Sequence, residues 1–394
     1  MLASFISFGY QFVMARLLSP PDYAILTALF GYLLLESIST QVIQSAAASL
    51  AARYRALGQE ATLHVFAQRW LRRIALVAGP PALLVALLAG PIGGVLALPA
   101  FTVVLLGVTL LATALLTFTQ GLLQGLRSFG WLGGVLLAQA VGRLSIGAAL
   151  VVAGLGVNGA FTAAAIAPIA GFLLTLIALR SLLTHAVAPE SAGALGRAET
   201  RFFLLAAVVL LAFAALTNLD AVLARALLGP EAAGTYAGVI TLGKVILFAP
   251  LAVGFLLLER TARAHAKGES TERALLLAHA FVLGTSGLVA VAYLIAPAFF
   301  TGIIVGSQYP GAVALAGRYG LAALSNSLLS IWIAYFVGRG ETRIGLLLMV
   351  GVVAEASLLV LVARDADAMV NIVLGVSLAM QAATVVSFLR QRRT

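Results

Sequence analysis

The chain alternates long apolar runs with short polar breaks. A transmembrane helix needs about 20 predominantly apolar residues to cross the hydrocarbon of a bilayer. Charged, Gly and Pro residues delimit twelve such runs, at 1–18, 22–50, 74–97, 101–124, 130–153, 158–180, 202–224, 232–258, 274–298, 311–337, 342–362 and 367–389. The pattern predicts an all-α polytopic membrane protein. Two polar stretches are longer than turns. From Ala51 to Arg73, the residues Arg53, Arg55, Arg69, Arg72 and Arg73 interleave with Leu57, Leu63, Val65, Phe66 and Trp70. That suits an amphipathic helix in the membrane interface, with an ordinary solvated loop as the alternative. The segment 181–201 holds Pro189, Glu190, Ser191, Gly193 and Gly196 and reads as a linker between a lobe at 1–180 and a lobe at 202–394. Arg16 stands where a cleaved signal peptide would need small residues, so the first run reads as a true helix.

The two lobes repeat each other. Ala15-Arg16-Leu17-Leu18-Ser19-Pro20 and Tyr23 return as Ala224-Arg225-Ala226-Leu227-Leu228-Gly229-Pro230 and Tyr236. The Arg offset is 225 − 16 = 209 and the Tyr offset 236 − 23 = 213, which reads as a four-residue insertion in the second turn. Gly125-Leu126-Arg127-Ser128 and Gly338-Arg339-Gly340-Glu341 keep the offset of 213. Six runs per repeat is an even number, so the halves should insert in the same orientation, related by an axis along the membrane normal, with a central cavity between two lobes.

Composition agrees: 62% hydrophobic, 10% charged, mean hydropathy +1.09. The net charge of +10 would suggest nucleic acid in a soluble domain, but here it sits in short loops between apolar runs, so no nucleic-acid partner is expected. Loops after even-numbered runs, with the C-terminal segment, hold 18 of the 24 Lys and Arg; loops after odd-numbered runs hold only Arg16, Arg225 and Arg364. The positive-inside rule then places both termini in the cytoplasm. The absence of cysteine excludes disulfides, thiolate metal sites and cysteine nucleophiles. His64, His185, His265 and His279 have no metal-ligand spacing, and no nucleophile–base pair or phosphate-binding glycine loop stands out. Neither an enzyme nor a cofactor is expected.

Six ionisable residues fall inside apolar runs: Glu36, Arg143, Asp220, Lys244, Arg318 and Glu355. Each costs about 2.5–3.5 kcal/mol at the bilayer centre, so each should face protein or a wet cavity. Two readings stay open for them: a pair that locks two helices, such as Lys244 with Asp220, or an anion site in the cavity. Across the repeat, Lys244 corresponds to Gly31 (244 − 213), so duplication alone does not account for it. Arg16 and Arg225, at run ends, suit interface anchors.

The corner Ala15–Pro20 with Tyr23, the run Asn218-Leu219-Asp220 leading to Leu223-Ala224-Arg225 and Leu228-Gly229-Pro230, and the Gly125-Leu126-Arg127 junction together resemble the polysaccharide-transport branch of the multidrug/oligosaccharidyl-lipid/polysaccharide (MOP) superfamily. The resemblance runs over essentially the whole chain. It implies two six-helix bundles in a V, a MATE-like architecture. It also implies alternating-access export of undecaprenyl-diphosphate-linked oligosaccharide across a bacterial or archaeal cytoplasmic membrane, for surface polysaccharide such as O-antigen or lipopolysaccharide. Carried over residue by residue, the cavity would be lined by Gln11, Arg16, Glu36, Asn218, Asp220 and Lys244, with Arg318 as a further positive group. The implied partners are the lipid-linked oligosaccharide with its anionic diphosphate, membrane lipids and polysaccharide assembly proteins. A cation-coupled multidrug antiporter of the same fold is the first rival, although the first run has no carboxylate and the sign of Lys244 favours an anionic cargo. A membrane-embedded glycosyltransferase or polymerase is the second, against which stand the short outside loops.

Overall fold

A computed structural model describes residues 2–184, 197–266, 272–339, 341 and 344–391, with some side chains outside the description, most of them within 35–53, 197–207 and 248–266. The described residues are helical and contain no strand. In order they are α1 (Leu2–Leu17), α2 (Pro20–Ala56), α3 (Glu60–Leu87), α4 (Ala89–Leu96), α5 (Ala100–Gly125), α6 (Phe129–Leu150), α7 (Gly156–Ala178) and α8 (Arg180–Thr184). There follow α9 (Arg197–Leu227), α10 (Pro230–Ala266), α11 (Glu272–Ile295), α12 (Pro297–Ile304), α13 (Pro310–Gly338), α14 (Ile344–Leu361) and α15 (Ala366–Gln391). The expected apolar runs fall on these helices, except that the run at 74–97 is divided between α3 and α4 and the run at 274–298 passes from α11 into α12. Among the described residues, eight helical stretches are long and apolar enough to cross a membrane, with mean hydropathy of 1.4–2.5. One of them, Phe129–Ala178, is two antiparallel helices: Gly154 (φ 89°) and Gly156 (φ 50°) reverse the chain between α6 and α7. Gly156 has ψ −139°, a region that essentially only glycine occupies. Gly156→Ala is expected to lower stability by about 1–3 kcal/mol, read as an earlier thermal unfolding transition in detergent.

The helices group into two compact units, Met1–Leu18 with Tyr32–Arg197, and Ser19–Gly31 with Ala198–Thr394. In unit 1 the core gathers Ala47, Leu50, Ala51, Tyr54, Phe66, Phe118 and Leu122 from α2, α3 and α5. Close approach there depends on glycine. A Cβ at Gly121 would lie 2.5 Å from the carbonyl oxygen of Gln44 and 2.8 Å from Ala47 Cβ, so the backbones of α2 and α5 meet through a small-residue stripe that continues at Gly125. Gly121→Val should destabilise by about 1–3 kcal/mol, because the obstructing atoms are main chain and cannot rotate away. In unit 2, α9, α10, α11, α13, α14 and α15 pack around Val209, Leu216, Leu257, Val282, Trp332, Tyr335 and Phe388. The first turns of α2 belong to this unit. Tyr23 shares a 2.6 Å hydrogen bond with Thr241, and a Cβ on Gly234 would meet the Pro20 backbone at 2.5 Å.

Two sequence expectations change. The Ala51–Arg73 stretch is not a separate interfacial helix: Gly58, at φ 66°, breaks it, and its halves continue α2 and begin α3. Leu63, Phe66 and Ala67 are buried in the unit 1 core, His64 Nδ1 lies 2.7 Å from the Leu182 carbonyl, and Gln68 donates to the Leu183 carbonyl. Arg69, Arg72 and Arg73 remain exposed on the other face. Nor does the second repeat corner hold an inserted turn. Both corners leave two residues between helices, α1 ending at Leu17 before Pro20 and α9 at Leu227 before Pro230, so 227 − 17 and 230 − 20 are both 210. Tyr23 stands three residues past its proline and Tyr236 six past its own, so the extra residues make about one turn of helix. The junction offset of 213 holds down to the backbone. Ser128 N donates to Leu123 O and Glu341 N to Phe336 O, at 2.9 and 2.8 Å. The expected linker 181–201 lies largely outside the described residues, between α8 and α9.

Candidate functional site

Lys244 stands 14 residues into α10 (244 − 230), roughly 21 Å along its axis, beyond the reach of a side chain from the helix end. The helix around it is fastened on one face. Tyr293 Oη donates to the Leu242 carbonyl (3.2 Å), and Ser286 and Ser327 hydroxyls both donate to the Ile246 carbonyl (2.8 and 3.3 Å). Residues two positions away lie about 200° around a helix of 3.6 residues per turn. Lys244 therefore projects from the side of α10 opposite to α11 and α13. It is half-buried, and among the described residues nothing forms a hydrogen bond or ion pair with it. Asp220 of α9 is within electrostatic range.

Asp220 is 1% exposed and well engaged. Its Oδ2 accepts from Tyr236 of α10 (2.9 Å) and Tyr319 of α13 (2.7 Å), and its Oδ1 accepts from the Ala221 amide (2.8 Å). One carboxylate thus ties three helices. Gly243 makes room for this arrangement, since a Cβ there would come within 2.8 Å of Tyr319 Cδ1. The Lys244–Asp220 ion pair weighed from the sequence is absent among the described residues; tyrosines hold the acid instead. Tyr319, 99 residues from Asp220, carried no sequence signal, because tyrosines are scattered through the apolar runs. Glu355 of α14 is 0% exposed, and neither carboxylate oxygen has a hydrogen-bond partner among the described residues.

The other expected lining residues are dispersed. Asn218, one turn before Val222 on α9, is buried and donates to the Ala214 carbonyl (3.0 Å) and to Thr217 Oγ1 (3.1 Å). Gln11 is half-buried on α1, and Arg16 is exposed in the last turn of that helix. Glu36 lies in α2 with its side chain outside the described residues. Arg318, on α13, is ion-paired with Asp367 and donates to Asn371 Oδ1 (2.9 Å), so its charge joins α13 to α15 at their adjoining ends. That is the helix-locking reading. Arg143 of α6 sits 5.3 Å from the centroid of the Tyr10 ring, and Tyr10 Oη donates to the Ala160 carbonyl (2.8 Å), which joins α1, α6 and α7 of unit 1. No group of three or more His, Cys, Asp or Glu that could hold a metal occurs among the described residues. The arrangement places Lys244, a deep cation, near an acid, Asp220, whose oxygens are already engaged by two tyrosine hydroxyls and an amide.

No family model matches the chain, and no curated protein does. Solved structures match over nearly its whole length. A multidrug resistance MATE family transporter of the MOP superfamily, inward-facing, aligns with a TM-score of 0.73 at 11% identity, covering 98% of this chain and 95% of that one. The lipid II flippase MurJ, inward closed, aligns at 0.72 and 10% identity over 98% and 86%. A MOP superfamily transporter from Pyrococcus furiosus, described by the reverse polarity of its binding pocket, aligns at 0.64 and 12% identity over 100% and 91%. At such identities the likeness shows the fold: a MATE-like, all-helical, multi-pass membrane architecture.

Proposed function

We propose that this protein exports an anionic lipid-linked oligosaccharide, of the undecaprenyl-diphosphate type, across the cytoplasmic membrane by alternating access, for surface polysaccharide assembly. The observation that carries the reading is Lys244, a positive charge in the middle of α10 that makes no hydrogen bond or ion pair among the described residues and feels Asp220 only at longer range. A cation placed where it costs several kcal/mol implies a ligand that repays the cost. A diphosphate is such a ligand. The lipid tail can remain in the bilayer, so the protein has to supply a positive contact only for the headgroup. Outward movement of negative charge across an inside-negative potential is itself favourable, by about 2.3 kcal/mol per charge per 100 mV. One lysine also lets go more readily than a bidentate arginine cluster. The fold accommodates the task, since its structural relatives include a lipid II flippase as well as multidrug transporters.

The test is complementation. In a strain lacking its own oligosaccharide flippase, the chain should restore surface polysaccharide, and in a drug-hypersensitive strain it should not raise resistance. The reverse pattern would favour the second reading, a cation-coupled drug antiporter, for which the buried acids Asp220 and Glu355 of unit 2 speak.

Orientation is part of the proposal and rests on the 18-to-3 loop asymmetry. The chain has no cysteine, so single cysteines report cleanly. Leu57→Cys, between α2 and α3, should resist an impermeant maleimide in intact cells, and Arg364→Cys, between α14 and α15, should label. Labelling at position 57 from outside would invert the topology.

A further inference from the structure

A cavity of about 490 Å³ opens among α13, α14 and α15 of unit 2, at the end where Arg339 and Arg390 stand. Its floor is apolar, made by Phe336, Ile344 and Leu347, and its rim carries Thr384, Ser387 and Arg390 from one face of α15 together with Glu341. We propose that this crevice binds the headgroup of an anionic phospholipid of the surrounding membrane, its phosphate taken by Arg390 and Ser387.

The hollow has a counterpart at the repeat offset. At the offset of 213, Ile344, Leu347 and Ser387 correspond to Trp131, Gly134 and Leu174, which line a cavity of about 470 Å³ between α6 and α7 in unit 1. Polarity is not inherited in the same way. Thr384, Ser387 and Arg390 correspond to Gly171, Leu174 and Ile177 (384 − 213, 387 − 213, 390 − 213), so the second copy alone has a hydroxyl, a hydroxyl and a cation along that face. These groups therefore need a reason that packing does not provide.

Their chemistry is selective. Glu341 is bound to Arg339, Nε to Oε1 at 2.9 Å, which leaves its charge balanced within the protein. Thr384 spends its hydroxyl proton on the Met380 carbonyl (2.8 Å). Arg390 and Ser387 are exposed, and neither has a hydrogen-bond partner among the described residues, so the donors aimed at the crevice are a guanidinium and one hydroxyl. That pair matches a phosphodiester oxygen edge, and the guanidinium repels the quaternary ammonium that a choline headgroup carries beside the same phosphate, so a net anionic headgroup is favoured. Next to the rim, Leu346, Met349 and Val350 of α14 and Val386 and Leu389 of α15 are exposed, as expected of faces that meet acyl chains. A phospholipid seated there would place its chains on that apolar face and its headgroup in the cavity, which is within the size range of small-molecule sites. With the orientation proposed above, the occupant comes from the cytoplasmic leaflet, where arginines at helix ends attract anionic lipid.

The experiment uses the full chain, purified and delipidated in detergent, with native mass spectrometry during titration by dioleoyl phosphatidylglycerol or dioleoyl phosphatidylcholine. The wild type should take up one phosphatidylglycerol at concentrations that leave phosphatidylcholine unbound. Arg390→Gln should weaken that uptake about tenfold, the loss of one charge-assisted contact, and Leu347→Trp, which fills the floor, should remove it. Arg390 is exposed, so Arg390→Gln keeps the test decisive even if Leu347→Trp fails to fold. Gly134→Trp in the unit 1 cavity and Lys244→Ala should both bind as the wild type does, and the second separates this site from the cargo reading. Equal uptake of both lipids, or undiminished uptake by Arg390→Gln, would overturn the proposal. So would Arg390-dependent uptake of undecaprenyl phosphate in place of phosphatidylglycerol, which would make the crevice a cargo site.

Discussion

Lys244→Ala is expected to abolish export while the protein still reaches the membrane. A charge-assisted contact to a phosphate contributes about 1.5–3 kcal/mol, so its loss weakens headgroup capture roughly 10- to 150-fold. Lys244 is the only lysine or arginine between Pro230 and Glu259, so no basic neighbour within three turns of helix compensates. Lys244→Arg should restore part of the activity, since the sign is kept and the geometry is not. Arg364→Ala, in an exposed loop, should be silent. The measurement is surface polysaccharide in a flippase-deficient strain, with membrane abundance measured in parallel. Full export by Lys244→Ala would make Lys244 a structural neighbour of the acid and move the anion site elsewhere.

The second large effect is on stability. Asp220→Ala leaves the hydroxyls of Tyr236 and Tyr319 buried without their acceptor. At about 1–3 kcal/mol for each orphaned group, the expected loss is roughly 2–6 kcal/mol, visible as a lowered unfolding temperature in detergent. Asp220→Asn retains an acceptor oxygen and should recover most of it. Tyr236→Phe and Tyr319→Phe should each cost less, and their double change should be non-additive because both hydroxyls share Oδ2. If Asp220→Ala unfolded at the parent's temperature and lost only export, the acid would belong to the transport machinery and not to the scaffold.

Much of the fold was legible in the chain because a bilayer imposes a simple code. Backbone groups in hydrocarbon must bond internally, so apolar runs of about 20 residues become helices whatever their neighbours. The corner prolines also act locally. Ser19 and Gly229 precede Pro20 and Pro230, each of which starts a helix, and the Asp22 amide donates to Ser19 Oγ at 3.3 Å. Hence α2 and α10 start at the prolines themselves, two residues before the expected runs at 22–50 and 232–258. The stretch 51–73 misled for a related reason. Its arginine–apolar periodicity reports one wet and one apolar face, which is shared by a helix lying on a membrane and by helix ends packed on a protein core, and only Gly58 and the partners of His64 and Gln68 distinguish the two.

Charges are where local reasoning ended. The sequence by itself determined that Glu36, Arg143, Asp220, Lys244, Arg318 and Glu355 lie in apolar runs, that short stretches of the two halves match at offsets of 209 and 213, and that at the offset of 213 Lys244 falls opposite Gly31. What each charge does depended on residues far along the chain. Arg318 meets Asp367 and Asn371, 49 and 53 positions away, Asp220 meets Tyr319 at 99, and Glu355 meets no hydrogen-bond partner among the described residues. A hydropathy pattern sets the depth of a side chain, since depth follows from position in the run. Partnership follows from how helices rotate and pack against one another, and that rotation is set by small residues such as Gly243 and Gly121 at particular contacts. Only the tertiary structure could therefore separate the acid held by tyrosines from the lysine that makes no hydrogen bond or ion pair among the described residues.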